Sequence, residues 1–128
     1  MTRRAQAWPA LYSAGLALVI LAPLLAPGYL LLRDAVSTPR SYLTDAALGI
    51  GDAAPRAVPQ DAIVAVASMA IDGGIVVKVV LLLALSLAGW GAAALAGTLA
   101  PELGLIPRLV AATVAIWNPY VAERLLQG

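Results

Sequence analysis

The chain has 128 residues, of which 62% are apolar and only 12% are charged, and its net charge is +1. Soluble domains have roughly 45–50% apolar and about 25% charged residues, and so short a chain has too little interior to hide the apolar excess. Lipid is therefore the expected solvent. The eight Lys and Arg residues are scattered, so no nucleic-acid partner is predicted. The absence of cysteine and histidine excludes disulfides, thiolate or imidazole metal sites, and Ser-His or Cys-His catalysis.

Three apolar stretches predict membrane-spanning helices, at about residues 8–32, 75–100 and 105–117. The first has no charge, and as a helix at about 1.5 Å per residue it exceeds a hydrocarbon core of about 30 Å. It is too long for the apolar region of a signal peptide, which is about 7–15 residues, so we interpret it as an anchor. Pro23 and Pro27 predict a kink in its second half.

The third stretch is short for a full crossing and is followed by Asn118-Pro119. A residue before proline is disfavoured in helical conformation, so this pair predicts a helix break. A new helix could begin after it, over Val121–Leu126.

The segment 33–74 joins the first two spans and predicts an external loop. Up to residue 60 it holds charges and breaker prolines, which favour a water-facing segment with a short helix around Ser41–Leu48. The run Asp61–Ile71 is too short to span a membrane and ends at Gly73-Gly74. It predicts a helix at the membrane interface or against the bundle. The expected fold is thus an all-α integral membrane protein, a single transmembrane domain over 1–128 with short interfacial helices in the loop.

Arginine placement predicts the orientation of the chain. Arg3, Arg4 and the amino terminus flank the first span, which favours a cytoplasmic N-terminus. The loop 33–74 is then external, although its three arginines weaken the asymmetry. The protein is expected to be a multi-pass protein of the plasma membrane.

Small residues recur at helical spacing in the second span and predict close helix–helix packing, because they let two backbones approach in lipid. The alternative is that alanine is simply abundant in this stretch. Two adjacent rows are involved: Ala84, Ala88, Ala92 and Ala96 in one, and Gly89, Ala93 and Gly97 in the other.

A few polar residues near the predicted membrane surfaces are candidates for chemistry. Asp34 follows the first span, where a partly desolvated carboxylate could act as a base or bind a metal; the simpler reading is a polar end to an apolar helix. Lys78, near the start of the second span, could contact a lipid phosphate or only extend to the headgroups. Glu123 and Arg124, after the predicted break, could join the site of Asp34 or only end a helix.

Three segments carry a resemblance to a known family: GYLLLRDAVSTP (Gly28–Pro39), the passage from Pro55 to Leu95, and WNPYVAERLLQG (Trp117–Gly128). They resemble the N-terminal part of an uncharacterised family of large polytopic actinobacterial membrane proteins, which is itself similar to the GT-C glycosyltransferases. Those enzymes use polyprenyl-phosphate sugars to build cell-envelope glycans. The resemblance covers nearly all of the chain after Pro27, and the most specific segment is the last.

The resemblance implies a catalytic base in the first external loop, which deprotonates the acceptor hydroxyl. Asp34 matches that position best and Asp45 is the second choice; Lys78, Glu123 and Arg124 would be substrate-binding residues. The donor would be a polyprenyl-phosphate sugar, and a divalent metal is left open. GT-C enzymes have many more spans, so we expect a chain cut short at its C-terminus that is not active alone. The alternative is a non-catalytic membrane accessory or scaffold subunit, or an inactive gene remnant.

Overall fold

The computed structural model describes residues 3–32, 35–52, 54, 57–102 and 104–127. Six α-helices account for most of them: α1 (Arg3–Leu21), α2 (Asp45–Leu48), α3 (Gln60–Ala67), α4 (Gly73–Leu99), α5 (Leu105–Ile116) and α6 (Pro119–Gln127). A 3₁₀ turn, Ala22–Leu25, follows α1. The residues β1 (Leu31–Leu32) and β2 (Ala35–Val36) form a minimal antiparallel pair, with Leu31 opposite Val36 and Leu32 opposite Ala35.

Three helical stretches are long and apolar enough to cross a membrane: Ala7–Leu25, Gly73–Leu99 and Leu105–Leu126. The prediction of an all-α membrane protein with three spans is thereby confirmed, with the two-residue β pair as its one addition among the described residues. No sequence feature distinguishes that pair from an irregular loop.

The first helical stretch ends at Leu25, whereas the sequence predicts a span to about residue 32. Pro23 has no N–H to continue the α-helical ladder, and the chain tightens into the 3₁₀ turn at Ala22. Pro27 follows soon after, and Gly28 has a φ of 117°, a backbone conformation that side-chain-bearing residues rarely adopt. The apolar residues up to Leu32 therefore belong to the connection and not to the helix.

The predicted break at Asn118 separates α5 from α6. The third apolar stretch includes both helices and extends to Leu126, beyond the predicted end at about residue 117. Because α5 alone has 12 residues, about 18 Å of helix at 1.5 Å per residue, α6 supplies the rest of the span's length.

Contacts divide the chain into two compact units, whereas the sequence analysis treats it as a single transmembrane domain. The first contains 1–26 and 80–128, and the second, which we call the loop unit, contains Pro27–Val79. In the first, α1 packs against α5, and the Tyr12 hydroxyl lies 2.7 Å from the Thr113 hydroxyl. Its buried apolar residues are Ala17, Leu21, Ala93, Ala112 and Ile116.

The glycine row of α4 is part of this packing. A Cβ on Gly89 would lie 2.9 Å from Ser13 Oγ of α1 and 3.2 Å from Ile116 Cδ1 of α5, so a larger residue would force these side chains to shift. Ala93 and Gly97 are also buried. Ala84 and Ala88, in the alanine row, are exposed.

The loop unit contains the β pair, α2, α3 and the first turns of α4. α2 packs against α3, and the interior is made of small side chains. Its buried residues include Ser37, Ala47, Ala65, Ser68 and Val76.

Candidate functional site

Asp72 initiates α4 and lies at the centre of the polar contacts in the loop unit. Its Oδ1 accepts a hydrogen bond from the N–H of Gly74 at 2.9 Å, and its carbonyl accepts from Ile75 and Val76. This is N-cap geometry, in which a carboxylate satisfies a helix N–H that has no intrahelical partner. The half-buried Asp72 therefore fixes where the second span begins.

Tyr29 engages the other carboxylate oxygen of Asp72. Its hydroxyl donates to Asp72 Oδ2 at 2.8 Å, and its ring lies over Gly74, where a Cβ would come within 2.8 Å of Cδ1. The hydrogen bond, then desolvation and then the charge of Asp72 raise the pKa of Tyr29 above 10.0. Because both oxygens of Asp72 have protein partners, this carboxylate serves as an attachment point for the loop.

The residues around Pro39 pass directly over the start of α4. The N–H of Gly73 donates to the carbonyl of Pro39 at 2.8 Å, and a Cβ on Gly73 would collide with the carbonyl oxygen of Thr38. Besides ending the preceding apolar run, the Gly73-Gly74 pair lets the Thr38-Pro39 segment and the ring of Tyr29 approach the start of α4.

Ser68 links α3 to the same part of the loop. Its buried hydroxyl accepts from the N–H of Ser41 at 3.0 Å and donates to the carbonyl of Ala65 at 2.9 Å. It also lies 3.2 Å from the Ser41 carbonyl. These bonds hold the chain after Pro39 against the end of α3.

Lys78, a predicted substrate-binding residue, contacts the connection after the first span. Its Nζ donates to the carbonyl of Gly28 at 2.7 Å. We call this bond, the Tyr29–Asp72 bond and the Gly73–Pro39 bond together the clamp. The first N–H groups of α4 are all paired, with Pro39 and Asp72, so they are not available to bind an anion beside Lys78.

The predicted catalytic residues have different outcomes. Asp34, the first choice, lies outside the described residues. Asp45, the second choice, is exposed in the first turn of α2, whose N-cap Thr44 accepts from the N–H of Ala47 at 3.2 Å. An acid at this position is favourable beside the helix N-terminus, which gives Asp45 a structural role. No group of three acidic side chains that could hold a metal occurs among the described residues.

Glu123 and Arg124 lie on α6, and both are exposed. The Arg124 guanidinium stands 5.3 Å from the centre of the Tyr120 ring, within the range of a cation–π contact. These two residues belong to the first unit, and Asp45 and Lys78 to the loop unit.

Asn118 places α6 by bonding to both helices at the break. Its Nδ2 donates to the carbonyls of Val114 and Ala115 of α5, at 3.0 and 3.2 Å. Its Oδ1 accepts from the N–H of Val121 of α6 at 3.0 Å. Pro119 cannot supply the N–H that the Ala115 carbonyl would receive in a continuous helix, and the Asn118 side chain replaces it.

The sequence analysis missed Asp72 and Tyr29. An acid directly before Gly-Gly and a long apolar run is an N-cap signal, so Asp72 could have been found. The partnership with Tyr29 could not, because it joins residues 43 positions apart.

No protein-family model, curated protein or solved structure matches this chain.

Proposed function

We propose that this chain forms the N-terminal membrane portion of a GT-C-like glycosyltransferase that acts in cell-envelope glycan assembly. The observation that carries the proposal is the clamp, which holds the segment between the first two spans at the start of α4. This is the segment in which the family resemblance expects the catalytic base. The clamp fixes Tyr29 and Pro39, which lie before and after that position in the sequence, and a base must be well positioned to meet a membrane-bound donor.

The proposed chemistry is transfer of a sugar from a polyprenyl phosphate to an acceptor hydroxyl. Asp34 would take the hydroxyl proton as the oxygen attacks the anomeric carbon, and the bond from that carbon to the phosphate oxygen would break. Polyprenyl phosphate would leave with its negative charge near Lys78, whose ammonium group already lies beside Gly28. Asp45 is the second candidate base, and Glu123 and Arg124 are proposed to contact the substrate from α6.

This function requires the loop and the donor phosphate on one side of the plasma membrane, with the N-terminus in the cytoplasm. The chain contains no cysteine, so single-cysteine labelling tests the orientation without removing native thiols. A membrane-impermeant maleimide should label Asp52→Cys in intact cells and Glu102→Cys only after permeabilisation. Both positions are exposed in the structure. The reverse pattern would contradict the orientation.

The transfer reaction is tested in membranes that express the whole coding frame, including any codons beyond residue 128. With a radiolabelled polyprenyl-phosphate sugar, transfer to endogenous glycan should be lost in Asp34→Asn. It should be retained in Asp52→Asn, the matched control. Wild-type transfer in Asp34→Asn but loss in Asp45→Asn would move the base to Asp45. Absence of transfer in every preparation, with intact protein in the membrane, would refute the enzyme proposal.

The alternative is a non-catalytic accessory or scaffold subunit. The observation that favours it is the exposure of Ala84 and Ala88 on α4, because small residues suit contact with another helix. A helix–helix partner docked there should be lost from the purified complex in Ala88→Leu. It should be retained in Leu87→Ile, a control at an exposed neighbouring position.

A further inference from the structure

The loop unit has large apolar side chains on its outside and small ones inside. Its interior holds Ala47, Ala65 and Ser68, each at most 6% exposed. Its exterior includes Tyr42, Ile50, Ile63, Val66, Met69 and Ile71, each more than half exposed. A unit surrounded by water has the opposite arrangement, because burying apolar area is the main stabilising contribution to folding.

Helix α3 shows the same arrangement, with small residues inside and large apolar residues outside, on a single element. Ala65 is fully buried, whereas Ile63 and Val66 are 57% and 56% exposed. Ala65 lies about 200° from Ile63 around a helix of 3.6 residues per turn, so the buried small residue and the exposed apolar face are on opposite sides. The apolar face of α3 therefore faces outward, away from the small residues that the helix packs on.

The covalent connections of the loop unit indicate lipid as the material that covers this face. The unit follows one apolar helical stretch, Ala7–Leu25, and continues directly into another, Gly73–Leu99. The exposed apolar residues after α3, Met69 and Ile71, lead into Ile75 and Val79, which are exposed in the first turns of that second stretch. The exposed apolar residues of the loop unit therefore stand next in sequence to a membrane-spanning helix, where lipid is the solvent available to cover them.

We propose that α3 is a membrane-interface anchor, whose exposed Ile63 and Val66, together with Met69 just after the helix, insert into the boundary between lipid headgroups and acyl chains. The sequence left two environments open for this segment, the interface or the bundle, and the outward direction of the face favours the interface. Asp61, in the first turn of α3, is exposed, and its charge is expected to stay in water. This proposal does not depend on the glycosyltransferase proposal.

Fluorescence quenching in vesicles tests the insertion. The full chain carrying one cysteine, Val66→Cys, is labelled with the dye NBD and reconstituted into phosphatidylethanolamine–phosphatidylglycerol vesicles. Nitroxide-bearing lipids should quench this dye strongly, and iodide in the aqueous phase should quench it weakly. The ratio of lipid to iodide quenching should be several-fold higher than for the dye at Asp61→Cys, the matched control in the first turn of α3.

Two results would overturn the proposal. Equal ratios at positions 66 and 61 would place both positions in water. Protection of position 66 from lipid and from iodide alike would mean that protein covers the face. Circular dichroism and the Ile63→Cys variant, which should behave like Val66→Cys, separate these outcomes from a labelled chain that has not folded.

Discussion

At the scale of single residues, Tyr29 and Asp72 make the attachment of the loop sensitive to alkaline pH. The carboxylate raises the pKa of Tyr29 above 10.0, chiefly by accepting its hydrogen bond. In the unfolded chain the pKa of this phenol is about 10.0, so Tyr29 ionises at a higher pH in the folded chain than in the unfolded one. The contribution of the Tyr29–Asp72 hydrogen bond to the free energy of unfolding is therefore complete below pH 10.0 and is lost as the pH rises through the raised pKa.

The difference between the phenolate absorbance of the wild type and of Tyr29→Phe in vesicles gives the titration of Tyr29. We expect its midpoint above 10.0 in the wild-type chain and closer to 10.0 in Asp72→Ser, because serine keeps the N-cap but removes the carboxylate. An unchanged midpoint in Asp72→Ser would contradict the assignment to Asp72.

Two buried serines should respond in opposite ways to the same substitution. Ser13 is fully buried, and its hydroxyl has no hydrogen-bond partner among the described residues. Ser68 is 5% exposed, and its hydroxyl is engaged with Ser41 and Ala65. Removing an unpaired hydroxyl is nearly neutral or stabilising, whereas removing a paired one leaves buried groups unsatisfied and costs about 1–3 kcal/mol.

We therefore expect Ser13→Ala to keep or raise the free energy of unfolding and Ser68→Ala to lower it. Denaturant titration in a mild detergent, followed by circular dichroism, measures both. Equal losses in the two variants would show that Ser13 has a partner in the membrane.

At the scale of elements, α4 offers a matched pair of glycines. An added methyl group at Gly91 has nothing within 4 Å, whereas at Gly89 it would meet Ser13 and Ile116. Both changes gain about 0.5–1 kcal/mol of helix propensity. Gly91→Ala should therefore stabilise the chain by about that amount, and Gly89→Ala should destabilise it because α1 and α5 must shift.

Thermal unfolding in the same detergent measures the two glycine variants side by side. Stabilisation by Gly89→Ala as large as by Gly91→Ala would show that α4 does not pack as described. Far-UV circular dichroism of both variants should remain helical, which separates lost packing from lost helix.

The elements also show what sequence reasoning can and cannot reach. Length and hydropathy predicted the three spans because lipid demands about 20 apolar residues per helix, and Asn118-Pro119 predicted the break before α6. The end of α1 at Leu21 was missed because hydropathy continues unchanged past Pro23. The clamp was also missed, because Tyr29, Pro39 and Asp72 come together only through tertiary packing. Asp34 and the transferase role stay predictions.

At the scale of the whole molecule, the two units should open independently. The first is held mainly by apolar packing of α1 on α5, and the loop unit is held by hydrogen bonds around Asp72 and Ser68. A segment that opens cooperatively does so with a free energy set by its own contacts. Asp72→Ala should therefore speed amide exchange in the loop unit, by the roughly fivefold that corresponds to about 1 kcal/mol for a lost N-cap.

Hydrogen exchange followed by mass spectrometry measures this in vesicles. Peptides from α5 should exchange at the wild-type rate in Asp72→Ala. In Gly89→Ala, peptides from α5 should exchange faster and those from the loop unit at the wild-type rate. Faster exchange across both units in either variant would mean that the chain opens as one body.

The clamp has a consequence for how the protein is made. Tyr29 is synthesised 43 residues before Asp72, and the Lys78 contact with Gly28 spans 50 residues. The ribosome must therefore complete the whole connection, and the start of the second span must emerge, before either bond can form. Until then the connection lacks the clamp, although bonds within it, such as that between Ser41 and Ser68, can already form. The clamp can therefore close only after the chain has been synthesised up to Lys78, which makes it one of the last contacts of the loop unit to form.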